Sequence, residues 1–168
     1  MHKHETMILN VILCAILFSA CATSTPGGFR NMVWGQDIST FSDLVYDSTD
    51  PSHGGITFYT RKDEDLHIGS ATAEKIVYGF WRDKLFSVGV FVVGNYNWEG
   101  LKSAAFEKFG AQSDPYLDSF YWSSNKTVIS LDHTKNDKGV GWLRSKEMVK
   151  QQEVYERRKA KEGAATGL

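Results

Sequence analysis

Carboxylates and an imidazole recur at every third position in Asp47-Ser48-Thr49-Asp50-Pro51-Ser52-His53, a donor set that suits a divalent metal or the acid–base steps of a hydrolase. The same residues also make an ordinary solvated loop, since Asp, Ser and Pro satisfy or pre-set local backbone without any ligand. Asp47, Asp50 and His53 are thus the metal candidates, while no bound metal or other cofactor is expected. Of the five histidines, His2 and His4 precede an apolar N-terminal run, His67 stands apart, and His133 adjoins Asp132. Neighbours on a strand point to opposite faces, so Asp132 and His133 do not share a ligand there. The sequence holds no Gly-x-Ser-x-Gly elbow, no phosphate-binding glycine loop and no His-Glu-x-x-His helix. No catalytic residue is assigned, and the chain is expected not to be an enzyme.

The N-terminus carries an address. A polar stretch with Lys3 and Glu5 gives way to the apolar run from Ile8 to Phe18, too short to span a bilayer and suited to the centre of a signal peptide. The run ends in Leu17-Phe18-Ser19-Ala20-Cys21, which resembles the lipobox of bacterial lipoproteins. That resemblance implies that residues 1–20 are a signal peptide, that the Cys21 thiol takes a diacylglyceryl group, and that two or three acyl chains, palmitate among them, hold the mature protein on a membrane. Ala22 and Thr23 follow the cysteine, with no aspartate beside it, which is similar to the pattern that sorts lipoproteins to the outer rather than the inner membrane. The expected location is therefore the cell envelope, lipid-anchored and facing the periplasm. Cys14 leaves with the signal and Cys21 carries lipid, so the mature domain has no disulfide, thiol nucleophile or cysteine metal site.

Removing 20 of 168 residues leaves 148 (168 − 20), enough for one domain with a sizeable core. Lys3 and Glu5 leave as well, so 18 basic residues (19 − 1) face 19 acidic ones (20 − 1) and the net charge stays at −1. That balance argues against nucleic acid as a partner. Aromatic residues make up 13% of the chain and all five Trp lie beyond Cys21, so packing rather than cross-linking has to supply stability. Residues 21–28 form the lipidated tether, flexible through Ser24, Gly27 and Gly28, and residues 29–146 the globular domain.

Within that domain a first helix is predicted from Asp37 or Ser39, with Ile38, Phe41, Leu44 and Val45 at helical spacing, ending before a loop from Asp47 to Gly55. Ile56 to Thr60 reads as a strand, with Leu66 to Ile68 as a short partner. Residues 74–82 and 85–93, joined at Asp83-Lys84, read as a long hairpin. Ile76, Tyr78 and Phe80 share one of its faces, and Phe86, Val88, Val90 and Val92 share a face of the partner strand. A second helix takes Asn97 as its cap, buries Trp98, Leu101, Ala105 and Phe109, and stops at Gly110. Gly79 and Gly89 leave room for it on the sheet. After Pro115 three strands follow, at residues 119–123, 127–132 and 139–144. From Ser145 to Glu162 a charged helix is expected to be solvated, because Met148, Val149, Val154 and Tyr155 are too few for a core stripe. Gly163 to Leu168 should be disordered. Residues 147–168 are accordingly set apart as a tail, whose basic run Arg157-Arg158-Lys159-Ala160-Lys161 can meet anionic lipid or an acidic partner.

These elements predict an α+β fold: an antiparallel sheet with two helices on one face, plus the charged C-terminal helix. Phe58-Tyr59 recurs as Phe120-Tyr121 at an offset of 62 (120 − 58), which suggests a tandem αβββ repeat. The layout is similar to that of the secreted β-lactamase inhibitor proteins and of small outer-membrane assembly lipoproteins. The phrases from Phe29 to Gly35 and from Phe109 to Ala111 resemble those of small uncharacterised envelope lipoproteins, which implies a fold and an address, not a chemistry. With much aromatic surface and no reaction constellation, the expected function is a non-catalytic protein-binding or structural module whose partner is another envelope protein. The alternative is a small-ligand or metal-binding periplasmic protein, or an atypical hydrolase built on His53 and its neighbouring acids. Convergence of Asp47, Asp50 and His53 in one pocket would separate the two.

Overall fold

The longest apolar alternation in the chain makes the middle of a seven-stranded antiparallel sheet. A computed structural model of the chain describes residues 27–113, 119–134 and 136–167. The signal segment, Cys21, the tether up to Pro26, Pro115 and Leu168 lie outside the described residues. In chain order the elements are β1 (Gly28–Phe29), β2 (Met32–Val33), β3 (Leu44–Asp50), β4 (Ile56–Arg61), β5 (His67–Ile68), β6 (Ala71–Thr72), β7 (Lys75–Trp81), β8 (Lys84–Val93), α1 (Asn95–Phe109), β9 (Ser119–Ser123), β10 (Thr127–His133), β11 (Lys138–Ser145) and α2 (Lys146–Gly167). The sheet runs β3-β4-β7-β8-β11-β10-β9, and β1–β2 and β5–β6 are separate two-stranded ribbons. The α+β class and the antiparallel sheet are as expected.

The hairpin β7–β8 turns at Arg82-Asp83, one residue earlier than predicted. Both turn residues have positive φ, 51° and 60°, the primed-turn backbone whose twist matches the flanking strands. Asp83→Gly should raise the unfolding free energy by about 0.5 kcal/mol in chemical denaturation, because relief of the left-handed backbone exceeds the entropy that glycine adds to the unfolded chain. Further along, a bulge sets Gly79 opposite Ser87 and Phe80 opposite Leu85. It turns Phe86 to the far face, away from Val88, Val90 and Val92, with which it was expected to align.

On the near face, Ile76, Tyr78, Phe80, Val90, Ile129 and Leu131 pack with Trp98, Leu101 and Ala105 of α1. The helix starts at Asn95, not after Asn97. Asn97 instead donates to Val93 O at 2.9 Å and accepts from Thr72 N at 3.0 Å, tying the first turn to β6. Gly110 ends α1 at φ 75°, its N–H on Phe106 O, as its position predicted. The glycines that admit the helix are Gly100 and Gly139: a Cβ there would lie 2.9 Å from Ala71 N and 2.5 Å from the Trp98 ring. Gly79 and Gly89 face Phe58 and Trp142 on the other side, so their predicted role is corrected.

Three further expectations change. The predicted first helix is a single 3-10 turn, Ile38–Thr40, capped by Asp37, after which the chain extends into β3. Cross-strand pairing of Leu44 and Val45 with β4 overrides their helical spacing, so one α-helix rather than two covers the near face. His67–Ile68 pairs with Ala71–Thr72 and not with β4, whose neighbours are β3 and β7. An offset of 62 would match inner strand β4 with edge strand β9, and β5, outside the sheet, with β10. The offset of 62 therefore does not carry the repeat, but β4-β7-β8 and β11-β10-β9 are arranged symmetrically about the β8–β11 pair, as two three-stranded units would be, with a 3-10 turn where the first unit's helix was expected.

The C-terminal helix is not a solvated tail. On the far face Met148, 5% exposed, joins Ile56, Trp81 and Phe86, with Val149 and Tyr155 packed against them. Tyr155 meets the Trp81 ring edge-on at 5.9 Å. Few apolar residues suffice because only the first turns of α2 touch the sheet. The helix also continues to Gly167, through most of the stretch expected to be disordered.

Candidate functional site

A slot between α1 and the sheet starts at the β1–β2 ribbon. A Cβ at Gly28 would lie 1.8 Å from Met32 O, so only glycine closes the ribbon there. Phe29 packs edge-on against Tyr78 at 6.2 Å, and Arg30 lies over the Phe29 ring at 5.3 Å. Arg30 also pairs with Glu64, which accepts from the Tyr78 hydroxyl at 3.0 Å. Burial, with Glu64 beside it, pushes the Tyr78 phenol well above its ordinary pKa, so it stays protonated and donating. These contacts fix Phe29 and Arg30 as one wall of the slot.

The roof comes from α1 (Leu101, Ala104, Ala105, Lys108 and Phe109), and the floor from Val90, Ile129, Leu131 and Leu143. Between them lies a cavity of about 230 Å³. It exists because Ala104, Ala105 and Gly141 place little bulk where larger side chains would meet. Among the described residues, Arg30 and the exposed Lys108 are its only charged lining residues. As a sealed packing fault, 230 Å³ would cost on the order of 5 kcal/mol, at about 24 cal/mol per Å³. That is a large part of a typical domain's stability of about 5–15 kcal/mol. The volume falls below the roughly 300–1,000 Å³ usual for drug-sized ligands, which limits the site to a smaller apolar group. Sequence reasoning named Leu101, Ala105 and Phe109 as core but missed Arg30 and Lys108. The signal was Ala104-Ala105 opposite Gly141, visible only once helix phase and strand register are joined.

Asp47, Asp50 and His53 do not converge. Lys75 Nζ donates to both Asp47 oxygens at 3.0 and 3.2 Å and holds that carboxyl below its ordinary pKa. Asp50 accepts from Ser52 N at 2.9 Å, and its hydrogen bonds with Ser52 lower its pKa in turn. His53 is exposed and pairs with Glu156, while its carbonyl accepts from Trp81 Nε1 at 3.1 Å. Asp50 and His53 border an open groove of about 400 Å³ under α2, beside Trp142 and Arg144, but Asp47 does not. Among the described residues, no three His, Cys, Asp or Glu side chains stand together as a metal site. Elsewhere, His67 pairs with Asp65, Asp132 accepts from Ser119 Oγ at 2.6 Å, and His133 stacks on Trp98 at 4.8 Å. These are structural contacts. No family model, curated protein or solved structure matches the chain, so its function has to be read from these residues.

Proposed function

We propose that the protein is a non-catalytic, lipid-anchored binding protein of the bacterial cell envelope, and that the slot under α1 holds the alkyl chain of a small amphiphile. The slot carries this reading: it is apolar apart from Arg30 and Lys108. Arg30 is engaged by Glu64, which leaves Lys108 for an anionic head. Each buried methylene contributes about 0.8 kcal/mol before the cost of immobilisation, so a medium-length chain binds weakly and exchangeably. The anchor rests on the lipobox resemblance at Cys21. The hydrolase reading loses support because Asp47, Asp50 and His53 are engaged separately. A docking face for another envelope protein has less in its favour, because the most exposed aromatic side chains among the described residues, Tyr46 and Tyr96, sit on different elements.

Photoactivatable dodecanoic acid, irradiated with the full protein in its membrane, should label peptides of α1 and of β10–β11. Ala105→Phe, which fills the slot, should reduce that labelling several-fold. Lys108→Glu, at an exposed position, should weaken labelling by the acid but not by its methyl ester. Label spread evenly over the chain, or unchanged by both substitutions, would contradict the slot as the binding site.

A further inference from the structure

We infer that the groove from which the chain departs towards Cys21 is the membrane-facing surface, and that its lysines engage the phosphates of anionic phospholipid. The inference rests on the lipid anchor proposed above. Gly27, the first described residue, lines an open groove of about 600 Å³ together with Lys84, Lys126, Lys146 and Lys150. The Lys126 side chain lies so close that a Cβ on Gly27 would sit 3.9 Å from its Nζ. Lys146 N donates to Lys126 O at 2.9 Å, which brings the start of α2 against the β9–β10 turn. Two acids stand nearby, and both are engaged: Asp37 pairs with Lys84 at 2.9 Å, and Glu147 accepts from Gln151 at 3.0 Å. Lys126, Lys146 and Lys150 make no ion pair among the described residues.

Chain length sets the orientation. Six steps separate Cys21 from Gly27 (27 − 21), and at roughly 3.5 Å each an acylated Cys21 stays within about 20 Å of this groove. The groove is therefore the part of the domain held nearest the bilayer, where a negative lipid surface attracts lysines over about a Debye length. The positive end of the α2 dipole falls at the same place. Val33, 59% exposed, also lines the groove and presents apolar surface to the lipid, while half-buried Trp34 beside it donates its indole N–H inward to Thr127 Oγ1 at 2.8 Å. With a net charge of only −1, the attraction belongs to this face and not to the molecule as a whole. The run from Arg157 to Lys161, the earlier candidate for lipid contact, begins 11 residues along α2 from Lys146 (157 − 146), about 16 Å at 1.5 Å per residue. Two of its side chains pair with Glu162. The two surfaces adjoin along the chain: Gly27 lines the groove and Gly28 the slot.

The test uses the full mature protein in phosphatidylcholine vesicles with or without phosphatidylglycerol, treated with a water-soluble amine-acylating reagent and read by mass spectrometry. Lys126, Lys146 and Lys150 should be protected several-fold in the anionic vesicles, with protection lost at high salt, while Lys161 labels equally in both. Equal labelling of the groove lysines in both vesicles, or equal protection of Lys161, would overturn the proposal. Protection seen only in whole envelope preparations, and not in pure lipid, would assign the face to an acidic protein partner instead. The mass of the N-terminal peptide separates the two levels: a peptide without acyl chains defeats the anchor and the inference together, whereas an acylated one with unprotected lysines defeats the inference alone.

Discussion

Cutting the chain after Lys146 should lower the thermal midpoint by about 10–15 °C, where composition alone predicts almost no effect. The cut removes Met148, which is 5% exposed, and the Val149 and Tyr155 packed beside it. It also uncovers Ile56, Trp81 and Phe86, which share the far-face cluster with the removed residues and with Phe58. Full burial of one such side chain contributes about 1.5–3 kcal/mol, so the total loss is on the order of 4–6 kcal/mol. The turns beyond Arg158 are exposed through Ala165, and truncation after Arg158 should leave the midpoint within a few degrees of the full chain. Calorimetry on both truncations checks the pair. An unchanged midpoint after the longer cut would mean that α2 does not roof the sheet.

Trp98→Ala should cost about 3–5 kcal/mol in urea denaturation, through lost burial and a residual cavity. Trp98 is 4% exposed, stacks on His133 at 4.8 Å, tilts against Phe120 at 6.2 Å and fills the space that Gly139 leaves open. Phe109→Ala, of similar chemistry on the same stripe, should cost only about 2 kcal/mol, because Phe109 is partly buried and borders the slot. Lys102 donates to Glu99 on the helix surface, so Lys102→Ala should change stability by no more than about 0.5 kcal/mol. Equal losses from Trp98→Ala and Lys102→Ala would show that the helix phase is misassigned.

What the sequence disclosed, and what it concealed, follow from the range of the interactions. The β7–β8 hairpin, the stripe of Trp98, Leu101 and Ala105, and the stop at Gly110 depend on residues within one element, so periodicity and capping reveal them. The first predicted helix failed because Leu44 and Val45 pair with Arg61 and Thr60, partners that no local window contains. Phe86 was placed on the wrong face because a bulge leaves no mark in hydrophobic alternation. The far-face cluster joins Ile56 to Met148 across most of the domain, so α2 looked merely charged. The slot was hidden for the same reason: Arg30, Ala105 and Gly141 become neighbours only through the fold. Asp47, Asp50 and His53 were visible as residue types, but Lys75, Ser52 and Glu156, which engage them, were not.

The binding role of the slot is tested most directly by methyl resonances of the mature protein held in lipid nanodiscs and titrated with dodecanoate. Val90, Leu101, Ile129, Leu131 and Leu143 line the slot, whereas Ile56 and Val149 lie on the far face. Saturable shifts confined to the first group, weakened by Lys108→Glu, are expected. Shifts of equal size in Ile56 and Val149, or none in Leu101 and Leu131 up to millimolar ligand, would contradict a ligand slot under α1.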